Sequence, residues 1–189
     1  GRDAGAVGFS SGLVYEPGKF ADIDELAALA AEMASSGGLY ATHMRNEGTK
    51  LPDSVREAIE IGRRAGVPVQ ISHHKAAGRE AWGLVRESLR LIEAAQAEGL
   101  DVHADQYPYT AGSTILAAIV QNGAFESGPN ALGSIAPEDV VIASAAKRPD
   151  FEGRSIAALA QDLGLSAREA ELRVLALSPG VTAVMHSMK

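Results

Sequence analysis

The sequence has 189 residues, of which 46% are hydrophobic and 22% charged, a composition typical of a globular protein. Seventeen basic and 24 acidic residues give a net charge of −7, and the basic residues are scattered along the chain, so nucleic acid is not an expected partner. No cysteine is present, which excludes disulfides and thiolate metal ligands, and no apolar stretch approaches the length that spans a bilayer, so no membrane partner is expected.

The first 107 residues alternate between short apolar strands and amphipathic helices. Strands are predicted at 6–10, 39–43, 67–73 and 101–107, and each of the last three follows a helix that ends at glycine. Ser54 and Glu57 have the spacing of a capping box and predict the start of the second helix. Strands joined by single helices run parallel, and the pattern alone leaves a barrel and a doubly wound sheet both open.

The pattern breaks after Tyr107. Residues 121–137 are rich in Gly, Asn, Pro and Ser, which is typical of an irregular excursion. Regular structure is then predicted as a strand at 140–144, a helix capped by Ser155, a helix with a capping box at Ser166 and Glu169, and a strand at 181–186.

Two histidines end successive predicted strands, His43 and His73. In parallel α/β folds the functional side chains gather at the carboxyl ends of the strands, so the two imidazoles are expected to face the same opening. This position and residue type favour a metal site, although a histidine at a strand end is also commonly a hydrogen-bonded loop residue. His74 should point away from this site because adjacent strand residues face opposite sides, and His103 and His186 are interpreted as structural, with Asp105 as a supporting partner of the site.

Four segments together carry a family resemblance: GFSSGLVY at 8–15, YATHMR at 40–45, QISHHK at 70–75 and YPYTAGST at 107–114. Their residues and their order resemble the N-acyl-D-amino-acid deacylases of the amidohydrolase superfamily. The resemblance implies a zinc-dependent barrel that hydrolyses the amide bond of an N-acyl-D-amino acid, a small-molecule substrate, to a carboxylate and a D-amino acid. It implies His43 and His73 as zinc ligands, and it places Tyr15, Lys75, Tyr107 and Ser113 in the substrate pocket.

The same resemblance implies that the chain is incomplete. A complete (β/α)8 TIM-type barrel takes roughly 250 residues, and the family's first-strand histidines and its catalytic aspartate have no counterpart in this sequence. We therefore expect the central β/α units of a partial barrel at 1–114, followed at 115–189 by an insertion-like segment and then helices and a strand. No catalytic residue is expected in this chain, and the general base is expected outside it. As an isolated fragment it is expected to be inactive.

Two alternatives stay open. One is another amidohydrolase, a cyclic amide or ureide hydrolase of the dihydroorotase or hydantoinase kind, against which Lys75 and the 107–114 segment argue. The other is a non-catalytic fragment whose open sheet edges lead to a homo-oligomer or to pairing with missing barrel segments. A cytoplasmic location is the default expectation.

Overall fold

The computed structural model describes residues 4–123 and 130–189, which form two compact units. The first unit contains the residues up to Ala76 together with Gly83–Tyr107, and the second contains Ala77–Trp82 and Pro108–Lys189. In the main chain, the second of these units resumes at Pro108. The sequence-based boundary between a barrel part and an insertion stays a prediction.

The first unit is a parallel sheet whose strands alternate with helices. Its elements in chain order are β1 (Gly8–Gly12), α1 (Ile23–Ala31), β2 (Leu39–His43), α2 (Leu51–Ala65), β3 (Val69–Ile71), α3 (Val85–Ala97) and β4 (Val102–Ala104). The strands are hydrogen-bonded in the order β1-β2-β3-β4, and every pairing is parallel. The parallel β/α arrangement predicted from the hydrophobic pattern is confirmed for all four strands.

The three helices of this unit bury one face each. Their apolar side chains supply much of its core, including Leu26, Ala30, Val55, Ile59, Ile92 and Ala95. Asp22 is the N-cap of helix α1, and its carboxylate accepts a hydrogen bond from the Glu25 amide at 2.9 Å. Helix α2 ends at Gly66, which adopts a left-handed conformation (φ +66°) that favours glycine.

The predicted capping box at Ser54 and Glu57 is wrong. Helix α2 begins earlier, at Leu51, with Pro52 in its first turn. The Ser54 hydroxyl accepts a hydrogen bond from the Asn46 amide at 3.0 Å, and Glu57 pairs with Arg45. Ser54 and Glu57 thus both bind residues of the loop after β2 and do not cap the helix. The proline in the first turn marks the actual start of the helix.

The second unit has a small antiparallel sheet covered by helices. Its elements are β5 (Gly112–Ile115), α4 (Leu116–Gln121), β6 (Val140–Ser144), α5 (Ile156–Leu163), α6 (Ala167–Leu177) and β7 (Thr182–Met185). The sheet order is β5-β7-β6, with both pairings antiparallel. The strands near 140 and 181 and the helix caps at Ser155 and Ser166 are confirmed, whereas β5 was not predicted.

Part of the predicted irregular excursion lies outside the described residues, at 124–129. Within 4–123 and 130–189, the helices are all too short or too polar to cross a membrane.

Candidate metal centre

The two predicted histidines meet at the carboxyl ends of neighbouring strands. His43 is the last residue of β2, and His73 follows β3 by two residues. Because Thr42 is in register with Ile71, the two strand ends lie side by side. The His43 Nδ1 and His73 Nε2 atoms are 2.8 Å apart, and the ring centroids are 4.4 Å apart. The parallel register therefore brings both imidazoles into one cluster.

A buried carboxylate joins this pair. Glu47 lies in the loop after β2 and is 1% exposed. Its Oε1 atom is 3.0 Å from His73 Nδ1 and 3.9 Å from His43 Nε2. Donor atoms of these three residues lie within 4.8 Å of one another, a spacing that can hold a metal ion.

The chemistry of the cluster fits zinc. Imidazole nitrogens and carboxylate oxygens are zinc ligands, and the chain has no thiolate to offer. Among residues 4–123 and 130–189, the Nε2 atom of His43 is buried without a hydrogen-bond partner, a costly state that an ion or a carboxylate brought within reach would relieve. Burial lowers the pKa of His43 to about 4, so its imidazole is neutral at neutral pH, as a metal ligand must be.

Lys75 extends the cluster with a cation. Its Nζ atom is 2.5 Å from Glu47 Oε1, 2.9 Å from His73 Nδ1 and 3.0 Å from the His73 carbonyl oxygen. Burial lowers the pKa of Lys75, and the adjacent Glu47 carboxylate partly offsets this effect. Burial alone would raise the pKa of Glu47, but the hydrogen bond from His73 and the charge of Lys75 hold it below its ordinary value. Glu47 is therefore ionised at neutral pH.

The backbone of His73 is held in an unusual conformation. Its φ of +40° is in the left-handed region that non-glycine residues seldom adopt. The His73 amide donates a 2.6 Å hydrogen bond to Asp105 Oδ1, while Asp105 Oδ2 accepts one from the Gln70 side chain at 2.7 Å. Asp105, interpreted from the sequence as a supporting residue, thus fixes the chain where the second histidine leaves its strand.

Two predicted pocket residues lie beside this cluster. The Tyr15 ring is 5.0 Å from the His43 ring, and the Tyr107 ring lies 5.7 Å from Lys75 Nζ. Burial raises the pKa of Tyr107 to about 12, and the nearby Glu47 charge adds to the shift. Ser113, the fourth predicted pocket residue, lies in the second unit on β5, where it is paired with Val184.

The remaining histidines have separate surroundings. His74 is 4% exposed, and its Nε2 atom is 2.8 Å from the Ser88 hydroxyl on α3, so it turns away from the cluster into the helix layer. His103 is exposed and pairs with Asp101 at 2.8 Å. His186 and Trp82 line a cleft of about 460 Å³ within the second unit, where the Trp82 Nε1 atom donates to the Ser187 carbonyl oxygen.

Sequence reasoning missed Glu47. The residue lies in an irregular loop, where periodicity carries no information about side-chain direction. The available signal was its spacing of four residues from His43 within the same strand-end loop. Arg45, between them, fixes this loop by pairing with both oxygens of Glu57.

Curated relatives match this chain along most of its length. It is 38% identical over 172 residues to an N-acyl-D-glutamate deacylase and 47% identical over 113 residues to a D-aminoacylase, both from Alcaligenes xylosoxydans xylosoxydans. These alignments cover 91% and 60% of the chain but only 33% and 23% of the respective relatives. The chain thus spans about a third or less of the length of the relatives. No protein-family model matches it.

Solved structures match the fold over nearly the whole chain. The zinc complex of N-acyl-D-glutamate deacylase from Bordetella bronchiseptica, which contains a phosphonate mimic of the tetrahedral intermediate, superimposes with a TM-score of 0.84 and 32% identity. A crystal structure of D-aminoacylase, described as defining a novel subset of amidohydrolases, gives 0.82 and 33%. The matches cover 98% and 99% of this chain and 35% and 36% of those structures, which confirms the prediction of a partial amidohydrolase fold.

Proposed function

Since this chain is homologous to the D-aminoacylases and N-acyl-D-glutamate deacylases of the amidohydrolase superfamily, we propose that it supplies part of the zinc site of an N-acyl-D-amino-acid deacylase. The whole enzyme would hydrolyse the amide bond of an N-acyl-D-amino acid to a carboxylate and a D-amino acid. The observation that carries this proposal is the close approach of His43 and His73 at adjacent strand ends, with 2.8 Å between their ring nitrogens.

In the proposed reaction, His43 and His73 would hold the ion, and bound zinc would supply Lewis-acid polarisation of the amide carbonyl. The neutral state of His43 leaves a nitrogen lone pair free for this role. Burial of Glu47 and Lys75 keeps water away from one side of the imidazole pair. The general base is expected outside this chain.

Four residues are proposed to bind the substrate: Tyr15, Lys75, Tyr107 and Ser113. Support for the first three comes from their positions around the histidine cluster. The ammonium group of Lys75 matches the free carboxylate that an N-acyl-D-amino acid presents. It already donates to Glu47 and to the His73 carbonyl oxygen, so a substrate carboxylate would replace one of these contacts.

Zinc titration by calorimetry tests the proposed metal site directly. The unmodified chain should bind zinc, and His43→Ala and His73→Ala should each weaken binding at least tenfold, because each removes a nitrogen ligand. His103→Ala is the matched control, since His103 is exposed and pairs with Asp101. Unchanged zinc affinity in both alanine variants at the cluster would contradict the proposal.

A second role rests on a separate observation. The sheet of the first unit has β1 and β4 at its edges, and both His103 and Ala104 on β4 are exposed. We infer that these edges pair with further strands, either from a second copy of the chain or from additional barrel segments. Sedimentation that shows only monomer at high concentration would contradict pairing between copies. The cytoplasmic location stays a prediction.

A further inference from the structure

The histidine cluster offers two different places for an ion, because each imidazole has two nitrogens that point in different directions. One place lies between His43 Nδ1 and His73 Nε2, which face each other at 2.8 Å. The other lies on the Glu47 side, toward His43 Nε2 and His73 Nδ1. One ion cannot use both, so the surroundings of each place decide between them.

The place on the Glu47 side already contains a cation. The Lys75 ammonium lies 2.5 Å from Glu47 Oε1 and 2.9 Å from His73 Nδ1, which are two of the atoms that an ion there would need. Lys75 donates to Glu47 and also to the His73 carbonyl oxygen at 3.0 Å, so two buried acceptors hold the ammonium in this place. A divalent ion in this place would be repelled by the ammonium and would have to displace it from a buried position.

The place between His43 Nδ1 and His73 Nε2 has the geometry of a pair of zinc ligands. Two nitrogens at about 2.05 Å from a tetrahedral zinc ion are roughly 3.3 Å apart. The observed separation of 2.8 Å reaches this value with a shift of about half an ångström. When both rings bind an ion here, their other nitrogens carry protons and face Glu47, at 3.0 Å for His73 and 3.9 Å for His43.

We propose that Glu47 is a positioning residue that lies behind both metal ligands and does not bind the ion itself. Its carboxylate accepts the ring proton of His73, faces that of His43, and neutralises the Lys75 ammonium beside them. This inference rests on the proposed zinc site and assigns a role within it. A carboxylate behind a ligand imidazole fixes the ring orientation and makes the ligand nitrogen more basic. The 1% exposure of Glu47 suits this role.

Nuclear magnetic resonance of the histidine ring nitrogens in the zinc-loaded chain tests which atoms bind. We expect zinc at His43 Nδ1 and His73 Nε2, with protons on the two nitrogens that face Glu47. Zinc at His43 Nε2 and His73 Nδ1 would place the ion against Glu47 and overturn the proposal.

Calorimetry on variants tests the strength of the effect. Glu47→Gln keeps the shape of the side chain but removes its charge, and it should lower zinc affinity about 10- to 100-fold. Cobalt bound to this variant should keep the absorption spectrum of a site with the same ligands, which loss of a ligand would change. Glu60→Gln is the matched control, because Glu60 is also ion-paired in this unit but its partners are Arg63 and Arg64 on α2.

The outcomes separate the two proposals. Equal zinc affinity in Glu47→Gln and the unmodified chain would overturn the positioning role and leave the zinc site standing. A changed cobalt spectrum in Glu47→Gln would make Glu47 a ligand and would also overturn it. Failure of zinc to bind the unmodified chain would overturn the zinc site and the positioning role together.

Discussion

At the residue scale, Arg45 makes a concentrated set of contacts in the first unit. Its guanidinium group donates to both oxygens of Glu57 and to the carbonyl oxygens of Lys19 and Ala21 at 2.7 Å each. The carbonyls belong to the segment that follows Tyr15, so Arg45 links that segment to the loop after β2. A single planar side chain therefore holds two loops that border the histidine cluster.

Replacement of Arg45 by glutamine should destabilise the first unit by about 2 kcal/mol, since a partly buried Glu57 loses a charged donor and two carbonyls lose theirs. Urea unfolding measures the change. Arg56→Gln is the matched control, because Arg56 forms an exposed pair with Asp53, and it should have a much smaller effect. Equal destabilisation by the two variants would contradict the assigned role of Arg45.

Tyr107 should ionise late in an alkaline titration. Burial and the Glu47 charge raise its pKa to about 12, against an ordinary value of 10.0. Because the folded state keeps the proton longer than the unfolded state, the stability linked to neutral Tyr107 is complete below about pH 10 and is lost as pH rises through about 12. Absorbance at the phenolate band, compared with Tyr107→Phe, should show one fewer late-ionising group in the variant. Ionisation of this group near pH 10 would contradict the expected shift.

The proximity of His43 and His73 could be predicted because strand ends can be read from hydrophobic patterns and parallel strands share a direction; their role as metal ligands stays a prediction. It could not identify Glu47 or its contact with Lys75, which depend on the path of an irregular loop. The left-handed backbone of His73 was equally out of reach, because neither its residue type nor its neighbours signal a positive φ.

At the scale of elements, local signals predicted the existence of helices and strands better than their pairing. Strand β4 is shorter than the predicted 101–107 because only Val102–Ala104 pairs with β3. Strand β5 has only four residues and gains its structure from pairing with β7. Pairing with a strand distant in sequence does not require a recognisable hydrophobic pattern in so short a segment, so the antiparallel sheet was not predictable from periodicity.

The start of α5 depends on one hydroxyl group. Ser155 Oγ accepts a hydrogen bond from the Ala158 amide at 3.2 Å. Ser155→Ala should cost about 1 kcal/mol because a helix amide loses its acceptor, and Ser155→Thr should retain most of the stability. Thermal unfolding of the two variants measures the difference. An alanine variant as stable as the threonine variant would show that the cap contributes little.

At the scale of the whole molecule, zinc should raise stability because the ligand cluster forms only in the folded chain. At a free zinc concentration about 100 times the dissociation constant, the expected gain is about 2.7 kcal/mol. Urea unfolding followed by circular dichroism measures it, and chelation should reverse it. The double variant His43→Ala/His73→Ala should unfold at the same urea concentration with and without zinc. A zinc-dependent shift in that variant would place the stabilising ion elsewhere.

The pairing of β5 with β7 has a consequence for evolution and protein engineering. Gly112 lies opposite Met185, so the two ends of the polypeptide between them are close together. A segment whose two attachment points are adjacent can be gained, exchanged or removed by recombination with little disturbance to what it is attached to. The residues between β5 and β7 can therefore vary in length and surface while the strand pair that holds their two ends together stays the same.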